Sequence, residues 1–165
     1  MSDFKASFTL IQHTPIIHFQ SEQHGATLRA TELKPKLDKF LIENEPTLKT
    51  LKNANGHLSL DYKITLRAVS KSKLEIDKKD PLFFGNMKPR EMSDDEFEKT
   101  KKFFVENKEV QLEFFSFDAS IIEAIRRHLE AFFCMTNFGT RQSKGFGSFT
   151  IDGKFSKTSI PHKVY

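Results

Sequence analysis

The chain has 165 residues, of which 38% are hydrophobic and 29% are charged, and its net charge is +4 at pH 7. This length is enough for one globular domain with its own core. The positive net charge mildly favours polyanionic partners. No apolar run approaches the roughly 18 residues of a membrane span, and the first residues lack the apolar stretch of a signal peptide. The single cysteine, Cys134, cannot form an internal disulfide. We therefore expect a single cytoplasmic domain over residues 1–165, without membrane contact.

The first half of the chain predicts a strand, a helix and a second strand. Apolar and polar residues alternate over 4–12, which is the period of a half-buried strand. Residues 19–31 are mixed and polar, and they indicate a loop. Pro35 can open a helix because a first-turn residue needs no amide donor, and the apolar spacing around it predicts a helix over 34–44. Strict alternation over 58–68 predicts the second strand.

The middle of the chain predicts an exposed insertion. Residues 69–108 are charged and are interrupted by proline and glycine, which favours an excursion away from the core. Within this insertion, Ser93 and Glu96 have the spacing of a capping box. We therefore expect a helix from about 94 to 106.

The last third of the chain repeats the strand, helix and strand pattern. Alternation over 110–114 predicts a third strand. Asp118 and Ser120 are alternative N-caps of a strongly apolar helix that is expected to end near residue 136. Residues 146–151 predict a final short strand, and 153–165 indicate a tail.

Together these elements predict an α+β fold. Their order is β-α-β, an inserted helix, then β-α-β, which is the ferredoxin-like (βαββαβ), RRM-like arrangement with an inserted helix between strands 2 and 3. An antiparallel four-stranded sheet backed by two helices would bury the apolar side of every element.

The segment between the second helix and the last strand has the composition of a phosphate-binding loop. Gly139, which we place as the stop of the helix, brackets with Gly145 and Gly147 a stretch that carries Arg141 and Lys144. Glycine lets the backbone approach a partner closely and adopt positive φ. Arginine and lysine supply positive charge for phosphate groups. This composition favours binding to a nucleic-acid backbone.

A second interpretation of the same residues is base stacking. Lys144-Gly-Phe-Gly-Ser-Phe149 resembles the start of the aromatic motif of RNA-recognition modules. In those modules the motif lies on the third strand, and a helix and a strand follow it. Here only 16 residues follow Phe149 in the chain of 165, with Pro161 among them. We therefore reject the stacking strand and expect Phe146 to point inward as an anchor.

Both ends of the chain resemble a known family. An apolar helix, then Gly139, five variable residues and Gly145-Phe-Gly147, is similar to the glycine loop of the RAMP superfamily, the RNA-binding subunits of CRISPR interference complexes. Thr14-Pro15, Gly25-Ala-Thr-Leu-Arg29 and Glu32-Leu-Lys-Pro-Lys36 resemble the opening segment of that family. Within the superfamily the chain is most similar to subunits of type III effector complexes, particularly the Cmr-type head subunit.

The resemblance implies RNA-backbone binding without sequence reading, in a CRISPR ribonucleoprotein effector complex of antiviral defence. The partners would be guide or target RNA and other effector subunits, and we expect no cofactor and no metal. Phosphate contacts set affinity and register but carry no sequence information, so base pairing of the guide would recognise the sequence of the target. The residues expected on RNA are Gly139, Thr140, Arg141, Gln142, Ser143, Lys144, Gly145 and Gly147 in the loop, with Arg29, Lys34 and Lys36 at the start of the first helix.

Two other functions remain open at this point. Some RAMP relatives cut guide RNA without metal through a histidine, and His13, His18 and His24 lie near the end of the first strand and in the loop after it, where an imidazole could activate a ribose 2′-hydroxyl. The protein would then be a metal-independent guide-RNA-processing endoribonuclease of the same fold. The other alternative is a protein-interaction scaffold without RNA contact. Steep loss of RNA affinity with rising salt separates an RNA binder from such a scaffold.

Overall fold

The computed structural model describes residues 3–17, 28–52, 55–69, 72–74, 93, 95, 104–106 and 109–153. The helices over these ranges are α1 (Ala30–Asn44) and α2 (Ala119–Met135), and a 3-10 turn (Gln142–Lys144) follows α2. The strands are β1 (Lys5–Gln12), β2 (Ile16–Ile17), β3 (Leu51–Lys52), β4 (Leu58–Ser59), β5 (Lys63–Ala68), β6 (Ser72–Leu74), β7 (Phe104–Glu106), β8 (Glu109–Phe115) and β9 (Phe149–Ile151).

The central element is a four-stranded antiparallel sheet with the order β5-β8-β1-β9. Leu10 on β1 pairs with Val110 on one side and with Ile151 on the other. The smaller pairings join β2, β7 and β6 into a second sheet and β3 with β4 into a hairpin. Both helices contact the four-stranded sheet, α1 through β5 and α2 through β1 and β9. The predicted α+β class, with an antiparallel sheet and two helices, is confirmed.

The core lies between the two helices and one face of the four-stranded sheet. Every second residue of β8 from Val110 to Phe114 is buried, and the residues between them are exposed. α1 contributes the buried stripe Leu33, Leu37 and Leu41, and α2 contributes a longer stripe from Ile121 to Phe133. Residues three or four positions apart share one side of a helix, so each stripe faces the sheet.

The other face of the sheet is polar at its centre. Across its middle, Thr9 pairs with Gln111, and Gln111 pairs with Arg67. Towards one end, Lys5 forms an ion pair with Glu113 at 3.0 Å. RNA-recognition modules stack bases on aromatic rings at the centre of such a face. The polar residues found there fit the rejection of base stacking.

α1 begins earlier than the sequence predicted. The amides of Glu32 and Leu33 both donate to the carbonyl of Arg29, at 3.1 and 2.9 Å, so the first turn closes before Pro35. Pro35 therefore lies inside the helix and does not open it. Because proline has no amide hydrogen, the helix loses one internal hydrogen bond there.

The second predicted strand, 58–68, is broken in the structure. The chain turns at Leu60, where the amide of Tyr62 donates to the Leu60 carbonyl at 3.2 Å. β4 then pairs with β3 as a separate hairpin, which leaves Leu58 50% exposed, and only β5 joins the large sheet. The alternation of apolar and polar residues correctly predicted an extended chain, but it did not predict the turn at Leu60.

The insertion is described only in part. Phe104–Glu106 form strand β7, which pairs with β2 and β6, so the predicted helix over 94–106 is wrong at its end. Asp95 is helical. The remainder of that predicted helix, most of 69–108 and the predicted tail from 154 onward lie outside the described residues.

The structure decides between the two predicted N-caps of the second helix and changes the role predicted for Gly139. Asp118 is the N-cap of α2, and its carboxylate accepts from the Ser120 amide at 2.9 Å, so the Ser120 capping box is not the one used. α2 ends at Met135, and Thr136 is already extended. Gly139 has a φ of +80° but lies beyond this end, so it shapes the loop and does not stop the helix. In the described part of the chain no helix is both long enough and apolar enough to span a membrane.

Candidate nucleic-acid interface

The loop between α2 and β9 contains a cluster of left-handed backbone conformations. φ is +80° at Gly139, +84° at Gly145 and +72° at Gly147. Arg141 also has a positive φ, +57°, and it is the one residue other than glycine with this property in the described ranges. A bulky residue rarely adopts this conformation without support from its surroundings. The contacts of the loop supply that support.

Gly147 is held between two neighbouring segments. Its amide donates to the carbonyl of Pro15 at 2.9 Å, and its own carbonyl accepts from the amide of Phe138 at 2.9 Å. A β-carbon at this position would lie 1.8 Å from the carbonyl oxygen of Phe138, which is far inside van der Waals contact. Glycine is therefore required where the chain passes between Phe138 and Pro15 on its way to β9.

Thr14 fastens the end of β1 to the second half of the loop. Its hydroxyl donates to the carbonyl of Gly145 at 2.7 Å and accepts from the amide of Ser148 at 2.9 Å. The amide of His13 donates to the Ser148 carbonyl at 2.9 Å. The Thr14-Pro15 pair noted in the sequence therefore has a physical role, because both residues bond to the glycine loop.

The first half of the loop is tied to α1 by five residues that we name the Glu32 clamp: Glu32, Lys36, Asn137, Gly139 and Gln142. The Glu32 carboxylate accepts from the Gly139 amide at 3.0 Å and from the Gln142 side-chain amide at 3.1 Å. Gln142 also donates to the Gly139 carbonyl at 2.7 Å, and Asn137 donates to the Gln142 carbonyl at 3.1 Å.

Lys36 completes this clamp. Its ammonium group lies 3.0 Å from Glu32, 3.0 Å from the side-chain oxygen of Gln142 and 2.8 Å from the carbonyl of Asn137. A lysine has three donor hydrogens, so these acceptors use all of them. Lys36 was predicted to contact RNA, and the structure shows its ammonium group holding the loop against the helix.

Lys34 is also engaged within the protein. It forms an ion pair with Asp38 at 3.0 Å and donates to the Leu60 carbonyl at 2.7 Å. Its ammonium nitrogen lies 3.8 Å from the centre of the Tyr62 ring. Burial raises the pKa of Tyr62, and the neighbouring Asp38 carboxylate raises it further. The predicted RNA contact of Lys34 therefore competes with one contact within α1, to Asp38, and with two contacts that connect α1 to the turn before β5.

Arg141 and Lys144 lie on the outside of the loop. The 3-10 turn closes through a hydrogen bond of 2.9 Å from the Lys144 amide to the Arg141 carbonyl. Arg141, Ser143, Lys144 and Gly145 are exposed, Gly139, Thr140, Gln142 and Arg29 are half-buried, and Gly147 is buried. The two cations of the loop, Arg141 and Lys144, are therefore both exposed at its surface.

A comparison with protein families identifies the family of this chain. The family described as the Cmr1 N-terminal domain matches residues 3–164. The chain belongs to this family. The predicted resemblance to a Cmr-type subunit of type III CRISPR complexes is therefore confirmed. No curated protein sequence matches the chain.

A solved structure has a similar fold. One chain of the cryo-EM structure of the Type III-B Cmr-beta bound to cognate target RNA aligns with 90% of this chain, at a TM-score of 0.53 and 9% sequence identity. The alignment covers 58% of that chain, so the Cmr1 N-terminal domain described here spans less than two thirds of its length. At this identity the likeness shows the shared fold alone.

The candidate catalytic histidines are described only in part. His13 is exposed at the end of β1, next to the loop, whereas His18 and His24 lie outside the described residues. Within those ranges no three histidine, cysteine, aspartate or glutamate side chains lie close enough together to hold a metal ion. The endoribonuclease alternative stays a prediction.

The sequence prediction missed Glu32 and Asn137 as parts of the loop site. The spacing of Glu32 and Lys36 is that of an ion pair on one helix face, and the structure shows that pair at 3.0 Å. That signal was visible in the sequence. Nothing in local spacing showed that the pair would bond to residues more than a hundred positions later.

Proposed function

We propose that this domain is an RNA-backbone-binding subunit of a type III CRISPR effector complex and that the glycine loop makes the contact. The observation that carries the proposal is the pair of exposed cations, Arg141 and Lys144, on a loop whose other side is bonded to β1 and α1. A rigid loop with two cations on its outer surface can bind phosphates without ordering itself first. The similar fold within a complex bound to target RNA supports the proposal.

Other subunits of such a complex are the proposed protein partners. We also propose that the fold is ferredoxin-like. If only the strands of the large sheet are counted in chain order, their spatial order is second, third, first and fourth. The helix α1 lies between the first and second of these strands and α2 between the third and fourth, which is the split β-α-β sequence of elements.

Within the predicted RNA contacts we separate two roles. Arg141, Lys144, Ser143 and Gly145 are exposed and are proposed to contact the backbone, with Arg29 close to the start of α1. Lys34 and Lys36 are proposed to hold α1 and the loop in place, because their ammonium groups already bond to protein acceptors. Backbone contacts of this kind carry no sequence information, so binding should be similar for unrelated RNAs.

The test is the double variant Arg141→Ala with Lys144→Ala. We expect its affinity for two unrelated single-stranded RNAs to fall by about tenfold each. We also expect the negative slope of log affinity against log salt to become shallower by about 1.4. Fluorescence anisotropy at several salt concentrations measures both quantities. The matched control is Lys63→Ala with Arg67→Ala, which removes the same charges from β5, an edge strand of the large sheet.

Three outcomes are informative. Unchanged affinity in the loop variant, or an equal loss in the β5 control, would contradict the loop assignment. Absence of salt-sensitive RNA binding by the unaltered protein would favour the scaffold alternative. RNA cleavage in the presence of chelator, abolished by His13→Ala, His18→Ala or His24→Ala, would favour the endoribonuclease.

One observation favours a protein-contact role in addition. Phe4, Phe115 and Phe117, which we name the aromatic cluster, are 46%, 38% and 84% exposed. The rings of Phe115 and Phe117 pack edge to face at 5.0 Å, and the Phe4 carbonyl accepts from the Ser116 amide. Exposed apolar groups of this kind mark contact surfaces. The cluster lies at the far end of β1 from the loop, so one domain can carry both contacts.

A further inference from the structure

We propose that Glu32 is a positioning residue for RNA binding: its carboxylate holds the glycine loop in the shape that presents Arg141 and Lys144, so loss of this negative charge weakens RNA binding. The inference rests on the proposed function of the loop. By its negative charge alone, Glu32 would weaken the binding of a polyanion such as RNA. Its proposed effect is the opposite, because it acts through the shape of the loop.

The contacts of Glu32 join three parts of the chain. Its carboxylate accepts from the backbone of the loop at Gly139, from the 3-10 turn through Gln142, and from Lys36 on its own helix. Hydrogen bonds to a charged carboxylate are stronger than those between neutral groups. The side chain is 25% exposed and that of Lys36 is 30% exposed, so solvent screens these bonds only in part. Glu32 is also in the first turn of α1, where the helix dipole favours a negative charge.

The Glu32 clamp holds the backbone on either side of Arg141. Arg141 lies between the two clamp residues Gly139 and Gln142, and its own φ of +57° needs support from its neighbours. Without the carboxylate, the Gly139 amide and the Gln142 side chain both lose an acceptor. The loop backbone would then relax toward commoner conformations, and Arg141 and Lys144 would lose the positions in which the folded loop presents them.

A competing account predicts that removal of the Glu32 carboxylate would raise RNA affinity. The Gly139 amide, Lys36 and Gln142 are all groups that can bind a phosphate, so Glu32 could occupy a site that RNA would otherwise enter. The remaining contacts favour positioning. Lys36 and Gln142 also bond to the carbonyls of Asn137 and Gly139, so these donors stay committed to the loop without the carboxylate. Removal of the acid would leave a loosened loop in which Lys36 and Gln142 still bond to protein carbonyls.

The test compares Glu32→Gln, Glu32→Asp and the control Glu43→Gln, an exposed glutamate on the same helix that pairs with Lys39 at 3.9 Å. We expect Glu32→Gln to lower RNA affinity by about tenfold. Glu32→Asp keeps the charge but shortens the side chain, so we expect a loss there too. Glu43→Gln should bind like the unaltered protein. Spectra of the chain labelled with ¹⁵N at its 7 glycines should show the Gly139 amide moving in both Glu32 variants.

A positioning residue acts through the groups that it positions. Glu32→Gln should therefore cause no further loss when it is added to Arg141→Ala with Lys144→Ala, whereas general damage to the fold would add to that loss. If the loop variant loses affinity and both Glu32 variants bind as well as, or better than, the unaltered protein, the role of Glu32 is overturned and the proposed function stands. If the loop variant itself keeps full affinity, the proposed function fails.

Discussion

Gly147 carries a steric constraint that Gly145 does not share. Both residues have positive φ, +72° and +84°. A β-carbon at Gly147 would collide with the Phe138 carbonyl, whereas a β-carbon at Gly145 would have nothing within 4 Å. Alanine variants at the two positions therefore separate the free-energy cost of the backbone conformation from the cost of close packing.

We expect Gly145→Ala to lower the free energy of unfolding by about 1 kcal/mol, which is the cost of a left-handed alanine. Gly147→Ala should cost about 3 kcal/mol, because the backbone of Phe138 or of β9 must also move. Urea denaturation followed by circular dichroism measures both. Equal losses in the two variants would show that the approach to Phe138 is not tight.

At the scale of elements, Glu45 connects the end of α1 to α2. Its amide donates to the Leu41 carbonyl at 2.7 Å, and its carboxylate bonds to His128 at 2.9 Å and to Arg127. The hydrogen bond with His128, aided by Arg127, lowers the pKa of Glu45 below its usual value. A carboxylate whose pKa is lowered by folding stabilises the folded state above its unfolded pKa, and that contribution is lost as pH falls through the folded pKa.

Glu45→Gln should therefore lower the melting temperature near pH 7, and this effect should shrink as the pH is lowered through the folded-state pKa of Glu45, where the unaltered carboxyl also loses its charge. Thermal unfolding followed across this pH range measures the difference. Glu123→Gln, an exposed change on α2, serves as the control and should show no such trend. A Glu45→Gln effect that is the same at both ends of the pH range would mean that the ion pair contributes nothing.

At the scale of the whole molecule, the glycine loop and the aromatic cluster lie at opposite ends of the large sheet. β1 runs through its 8 residues from Lys5, beside the cluster, to Gln12, beside the loop. That length corresponds to about 25 Å at the rise of an extended strand. Binding at one end should leave the other end accessible.

We expect Phe117→Ser to leave RNA affinity unchanged while weakening the association of this domain with other subunits of the effector complex, because it removes the most exposed ring of the cluster. Leu58→Ser, an exposed apolar change in the β3–β4 hairpin, is the matched control. Co-purification and RNA anisotropy on the same preparations measure the two effects. Loss of RNA binding with retained assembly would reverse the proposed assignment of the two ends.

The order of the main elements could be predicted because periodicity is a local property of the chain. Alternation identified β1 and β8, and helical spacing identified α1 and α2. The glycine loop was also visible in the residues themselves. The break at Leu60 was missed because the alternation of apolar and polar residues continues across it. The strand at Phe104–Glu106 was missed because it depends on pairing with distant strands. Local propensity yields to such pairing.

The sequence by itself determined the α+β class, the family resemblance and the presence of two cations between glycines, since each depends on neighbouring residues. Only the tertiary structure decided which lysines are exposed and which are committed to the fold. Lys36 and Asn137 are 101 positions apart, and Glu32 and Gly139 are 107 apart. A hydrogen bond requires a geometry of a few ångströms that residue spacing at such a distance cannot encode. The folded sheet brings these groups together, and the loop takes its shape from that contact.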